Sequence, residues 1–437
     1  MATTTQPLDV LFVSENALWP MDQGYRVHGA NMAKTLAQHG LKVGLATIHA
    51  PRQKTPGWMQ ELTLDWPASN AVDLKRFALG WSGKLMGLRD RLAGHQDLQA
   101  HQLAGLLPLV EQTRPRAVVA LGPHGPALLR GLAWAYPKLP RVWYAADEPA
   151  GFQLSMLRRE GITALPHRAR LACVFALMQI AFNRGNRAHR ASAVIGVSPR
   201  DTRWLGRLGG CEAVNIPNGV DTDYFQPDET LRMPRTCVFW GNLSFEPNVD
   251  AVRWFAKKVW PNTVYRWPDA TWTIVGRSPK PEVYQFADLP GVEVIADTAD
   301  IRPHVLSNAA AVMPMRCGRG IKNKLLEAAA MGMPILASRR AQTGLVFGGQ
   351  PAPMMTCKGA ATWVEALDKV WHSQALARVM GERAREWVLN RHTWGGAATQ
   401  MHGLLQRLAP SEDIYPETQA STQPTRAAQP AKQRKAA

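Results

Sequence analysis

Short β-branched, apolar runs alternate with stretches of helical periodicity from the start of the chain. "VLFVS" (10–14) is followed by a helical pattern through "VHGANMAKTLAQHG", closed by Gly40, and then by "KVGLAT" (42–47). Strand, helix with a glycine stop, and strand make a βαβ unit. The alternation predicts further strands at "AVVALG" (117–122), "VWYAA" (142–146) and "AVIGVS" (193–198). A turn-rich segment, 215–234, carries three prolines and an Asn-Gly step. Beyond it a second series predicts strands at "CVFWG" (237–241), "TWTIVG" (271–276), "VEVIA" (292–296), "AAVMP" (310–314) and "PILAS" (334–338), again with helices between.

Strands apolar on both faces and separated by helices belong to parallel sheets covered on both sides. The expected fold is therefore α/β, with two doubly wound, Rossmann-like domains facing a central cleft. The boundaries read as 8–217 for the first domain, 218–233 for a connector and 234–385 for the second domain. A helix over 386–409, with a break near Trp394-Gly395-Gly396, returns towards the first domain. The segment 410–437 is rich in Gln, Ala, Thr and Pro without apolar periodicity and reads as a disordered tail. Ligands of such sheets sit beyond the carboxyl ends of the strands, so the cleft is the expected site.

Charge sharpens this. The chain of 437 residues carries a net charge of +17. The stretch from Pro410 holds Arg426, Lys432, Arg434 and Lys435 against Glu412, Asp413 and Glu417, so the excess lies in the folded body. A basic body suits polyanionic partners such as nucleotide phosphates, lipid headgroups or nucleic acid. Five scattered cysteines without a C-x-x-C spacing argue against a disulfide framework or zinc site and fit a reducing, cytoplasmic compartment. "MATTTQPLDV" lacks the charged and apolar regions of a signal peptide. The apolar run "LACVFALMQIAF" (171–182) is too short to span a bilayer and reads as a core helix or an interfacial one. The stretch 73–94 places Trp81, Leu85, Leu88 and Leu92 on one face with Lys75, Arg76, Lys84, Arg89 and Arg91 around them. It packs on the sheet or lies on an anionic membrane surface.

The densest chemistry is in "RGIKNKLLEAAAMGMPI" (319–335). Leu325, Leu326, Ala329, Ala330 and Met333 form an apolar helical arc, and Lys324 and Glu327 point away from it. Arg316, Arg319, Lys322 and Lys324 crowd the helix start, where the backbone dipole is already positive. Gly318 and Gly320 free backbone N–H groups to close on a ligand, and an anion such as a diphosphate would reconcile cations with dipole. The alternative is a solvated patch with a weak Lys324–Glu327 pair.

This segment resembles the donor-site motif of family-4-like glycosyltransferases of the GT-B fold, matching at Pro314, Gly320, Lys324, Leu326, Glu327, Ala328, Ala330, Gly332 and Pro334. "VSPRD" (197–201), "IPNGVDTDYFQP" (216–227), "FWGNLSFEPNVDAVRWF" (239–255), "TIVG" (273–276) and "HTW" (392–394) fall in the family's order, so the resemblance spans roughly residues 8 to 408. Sugar transferases of bacterial exopolysaccharide loci look closest. The resemblance implies a UDP- or GDP-sugar donor on the second domain and a glycan or lipid-linked acceptor on the first. It also implies transfer with retention, without a bound metal or other cofactor. Glu327 would accept from the ribose hydroxyls. Lys324 and Arg316 would stabilise the departing diphosphate, with Gly320, Ile321, Lys322, Arg319, Gly241 and Gly276 lining the donor site.

On the first domain Gly24 stands where relatives have a Gly-Gly loop at the cleft, with Tyr25 in place of the second glycine, and Arg26 reads as a phosphate or acceptor contact or as an exposed charge. His124 resembles a sugar-pocket histidine, and Asp147 with Glu148 would orient an acceptor hydroxyl or simply cap a helix. Two departures stand out: Arg319 replaces a Glu that often contacts the donor sugar, and Asn242-Leu243 replaces a basic pair after the first strand of the second domain. Asn218, Gly219 and Asp221 read as a turn, and Trp240, Trp254, Trp260 and Trp272 as packing. A sugar-nucleotide epimerase of the same fold, a non-catalytic sugar-nucleotide-binding protein and a nucleic-acid binder are the alternatives. An epimerase would require acid and base groups around the sugar, which the Arg319 replacement does not provide, and no RNA or DNA motif supports the last.

Overall fold

Along β1 (Val10–Ser14), Val10 and Phe12 join one apolar layer while Leu11 and Val13 join the opposite one. A strand buried on both faces forms the middle of a parallel sheet. The computed structural model describes residues 7–14, 18, 21, 24–47, 60–63, 98–122, 125, 129, 132–133, 135–146, 155–156, 165–169, 172–173, 176, 191–209, 211–228, 232–345, 351–409 and 414–415. The regions 73–94 and most of 171–182 lie outside these. Among the described residues no helix is long and apolar enough to cross a membrane.

The first sheet has seven parallel strands. They are β1, β2 (Val43–Thr47), β3 (Gln60–Thr63), β4 (Ala117–Leu121), β5 (Arg141–Ala146), β6 (Ala193–Gly196) and β7 (Glu212–Asn215), in the order β3-β2-β1-β4-β5-β6-β7. The second has six: β8 (Met233–Asn242), β9 (Thr271–Arg277), β10 (Val292–Ala296), β11 (Asn308–Met313), β12 (Ile335–Ser338) and β13 (Met355–Cys357), ordered β10-β9-β8-β11-β12-β13. Both orders reverse direction beside their first strand, which opens a crevice at the carboxyl ends.

All ten strands expected from the pattern form. The three that periodicity misses, β3, β7 and β13, are short sheet edges with polar or half-exposed residues. An edge strand buries too little to leave a strong apolar signature. Helix Gly24–Gln38 begins earlier than its apolar pattern, taking in Gly24 and Arg26, so Gly24 is a helix residue and not part of an open glycine loop.

The helical break near Trp394 is a capped junction. Helix Gln374–Arg391 ends, and Thr393 caps helix Trp394–Leu408 by accepting from Gly396 N–H at 3.2 Å. That last helix packs on Gly24–Gln38 of the first domain, and one apolar core runs through both domains by way of Ile216, Val220, Trp394 and Met401. The connector passes so close that a Cβ on Gly219 would lie 2.3 Å from Trp394 N. Gly219→Ala is therefore expected to cost about 1–3 kcal/mol through overpacking against backbone, read as a lowered denaturant midpoint.

Disorder from Pro410 onward does not hold at Ile414 and Tyr415. Both pack on the outer layer of the first sheet, and Tyr415 donates its hydroxyl to Pro115 O at 2.7 Å and meets Tyr136 edge-on at 5.4 Å. An aliphatic–aromatic pair within a polar tail is enough apolar surface to dock. The rest of 410–437, apart from these two, lies outside the described residues.

Candidate active site

The segment 308–338 folds as β11, a glycine loop, helix Asn323–Ala330 and β12. The helix buries Leu325, Leu326, Ala328, Ala329 and Ala330, which turns Lys324 and Glu327 towards the carboxyl end of β8. Lys324 donates its ammonium to Asn248 Oδ1 at 2.8 Å, and the nitrogen stands 4.1 Å from the Phe239 ring centre. It lies over Gly241, where a Cβ would come within 2.8 Å of it and φ is +147°. Glycine at 241 thus makes room for the cation. Gly276, opposite it on β9, has another reason: its Cβ would meet Gly241 O at 1.8 Å.

Glu327, one turn beyond Lys324, accepts a 2.7 Å hydrogen bond at Oε2 from the indole N–H of Trp240. No ion pair joins it to Lys324 among the described residues, so the weak surface pair does not form. Burial pushes the Glu327 carboxyl above its usual range, against the Trp240 hydrogen bond and the Lys324 charge. Burial also lowers Lys324 to about 7, with the Glu327 charge opposing that shift. The face of Phe239 offsets part of the cost of holding an ammonium here. A half-buried carboxylate and a half-buried amine, each fixed by a neutral donor or acceptor, can receive a ligand that carries both hydroxyls and negative charge.

The other cations are spent differently from the sequence expectation. Arg316 and Arg319 belong to the loop and not to the helix. Arg316, 43% exposed, reaches the buried Asp250 at 3.4 Å. Arg319 pairs at 3.3 Å with Asp201 of the first domain. Lys322, the N-cap residue, donates back to the Arg319 and Gly320 carbonyls. Two of the four positive charges are thus balanced by carboxylates and a third closes the loop on itself. Lys324 is held by the neutral side chain of Asn248 at the carboxyl end of β8. Repulsion between crowded cations and the helix dipole is relieved internally, because the attraction of each cation to its carboxylate or carbonyl partner offsets part of its desolvation cost.

Gly318 (φ +94°) and Gly320 (φ +69°) turn the loop through left-handed conformations. Gly318 N–H, which the sequence assigned to a ligand cradle, donates to Ser155 Oγ at 3.1 Å. Ile321 is buried, and a Cβ on Gly344 would meet Gly320 O at 2.6 Å. Arg26 sits half-buried on the first domain. His124, Asp147 and Glu148 lie outside the described residues. Among the described residues no group of three or more His, Cys, Asp or Glu is placed to hold a metal ion.

Four residues to which the sequence reading gave no part in the site meet it. Trp240 orients Glu327, and Asn248 holds Lys324 while donating to Asn242 O at 2.8 Å. Asp201 receives Arg319, and His28 hydrogen-bonds Asn323, the first residue of helix Asn323–Ala330. His28 is buried and lowered to about 4, so it is neutral. A polar residue amid apolar helix positions was the available signal for Asn248 and His28; nothing in the sequence said what each would face.

Residues 234–373 match the family described as glycosyl transferases group 1. No curated protein matches the chain. Similar solved structures include sucrose-phosphate synthase from Thermosynechococcus elongatus, with 14% identity, a TM-score of 0.67 and coverage of 92% of this chain and 99% of that one. WaaG, a glycosyltransferase involved in lipopolysaccharide biosynthesis, is 14% identical with a TM-score of 0.58, covering 91% and 99%. Anabaena HepE in complex with UDP is 13% identical with a TM-score of 0.61, covering 92% and 100%. At such identities the shared property is the fold, and it is the two-domain GT-B architecture.

Proposed function

We propose that this chain is a glycosyltransferase that moves a sugar from a UDP- or GDP-sugar to a glycan or lipid-linked acceptor. The observation that carries the proposal is the half-buried Lys324–Glu327 constellation at the carboxyl end of β8, inside the segment that matches the group 1 domain. Glu327 accepts from the ribose hydroxyls through its carboxylate. Lys324 faces the diphosphate, where it stabilises the charge that develops as the nucleotide leaves. HepE structures that hold UDP and UDP-glucose share the fold, which supports this class of donor.

The acceptor sits on the first-domain side of the cleft, near Gly24 and Arg26 and the strand ends that lead to His124 and Asp147. Transfer with retention, and a place in bacterial exopolysaccharide or cell-surface glycan synthesis at the inner membrane face, complete the reading on the strength of the family resemblance.

The test is a nucleotide-sugar panel followed by thermal shift and nucleotide release. At least one donor is expected to raise the unfolding midpoint in a concentration-dependent way and to release nucleoside diphosphate. A panel without stabilisation or release would remove the transferase reading.

A further inference from the structure

The glycine loop between β11 and helix Asn323–Ala330 belongs to the second domain by sequence, yet the first domain holds it at separate points. Arg319 pairs with Asp201 at 3.3 Å, and the two side chains are only 12% and 3% exposed. Gly318 N–H donates to Ser155 Oγ, and both Asn218 of the connector and His28 of the first domain bond Asn323. Asp201 is itself fixed. It occupies the first turn of helix Pro199–Gly209, where the dipole favours a carboxylate. Its backbone N–H donates to Ser198 Oγ at 3.1 Å, and its Oδ2 accepts from the Ser198 hydroxyl at 2.7 Å. The anchor is thus rigid before Arg319 reaches it.

We propose that Asp201 is a positioning residue for the donor loop: through Arg319 the first domain sets the shape in which residues 316–322 meet the nucleotide diphosphate. The proposal rests on the donor-site reading above for its functional consequence, though not for its structural one. Arg319 stands where relatives often carry a donor-sugar carboxylate, and its engagement with Asp201 gives that position a different task. Removing the Asp201 charge takes away a carboxylate that Arg319 meets in a mostly desolvated setting, so the loop is expected to shift towards an arrangement that replaces it. Donor affinity and domain juxtaposition then vary together, because one contact serves both.

Hydrogen–deuterium exchange on the full-length protein without ligand tests this directly. Asp201→Asn is expected to speed exchange in peptides covering 314–325 by about tenfold or more, while peptides covering β8 stay unchanged. Glu212→Gln, which breaks the exposed Arg407–Glu212 pair, is expected to leave the loop alone. The neutral double variant Asp201→Asn/Arg319→Gln removes both charges; it keeps the fold if the single variant does not, and its loop is expected to exchange faster as well. Unchanged loop exchange in the folded variants would overturn the proposal. In parallel, the Kd for UDP and GDP is expected to rise about tenfold in Asp201→Asn, a change of about 1.4 kcal/mol. A wild-type protein that binds neither nucleotide would refute the donor reading, and loop exchange would still decide the role of Asp201.

Discussion

Lys324→Ala is expected to lower kcat about 10²–10³-fold, the usual loss when a preorganised charge is removed from a developing oxyanion. The fold should survive, because the ammonium contributes to no core contact that alanine would orphan except the Asn248 amide. A second consequence concerns pH. Burial holds the free Lys324 at about 7. A bound diphosphate favours the ammonium form, so binding takes up a proton wherever the free amine is neutral. The Lys324 contribution to donor affinity is therefore expected to be level below about pH 7 and to fall above it, by up to about tenfold per unit. Calorimetry in buffers of different ionisation heat measures that proton uptake directly. An affinity that stays flat to roughly pH 9, where linkage demands a slope, would take Lys324 away from the diphosphate.

Glu327→Ala is expected to act on binding first, raising the donor KM about 10- to 100-fold with a smaller change in kcat. The estimate corresponds to one charge-assisted hydrogen bond, about 1.5–3 kcal/mol. Only the ionised carboxylate accepts from both ribose hydroxyls and the Trp240 N–H. Since burial raises the Glu327 pKa, affinity should be present above that value and lost as pH falls through it. Trp240→Phe deletes the 2.7 Å hydrogen bond that favours the ionised form. The acid limb of donor binding should therefore move to higher pH in that variant. A purely structural Trp240 would change stability and leave the acid limb in place.

These outcomes also mark where sequence and structure part. Lys324 and Glu327 were legible because a helix fixes both by its period: once the apolar arc is assigned, residues three apart must share the opposite face. Gly241 was legible as a strand-end glycine, but its reason, the ammonium lying where a Cβ would stand, required the second domain's first strand and its donor-side helix to be placed together. Trp240 illustrates the limit more sharply. A tryptophan in an apolar strand is read as packing, and it is packed; its N–H partner lies 87 positions away in sequence.

The sequence by itself determined the alternation of strands and helices, the two-domain architecture and the helix that carries Lys324 and Glu327. All of these follow from local periodicity and short connections, whose physics is confined to neighbours along the chain. The tertiary structure alone decided which charges stay available. Four cations near one helix start looked equivalent in sequence, yet Asp250 takes Arg316, Asp201 takes Arg319 and loop carbonyls take Lys322. Electrostatic energy depends on distance and desolvation through space, and no local pattern encodes a carboxylate that arrives from another domain.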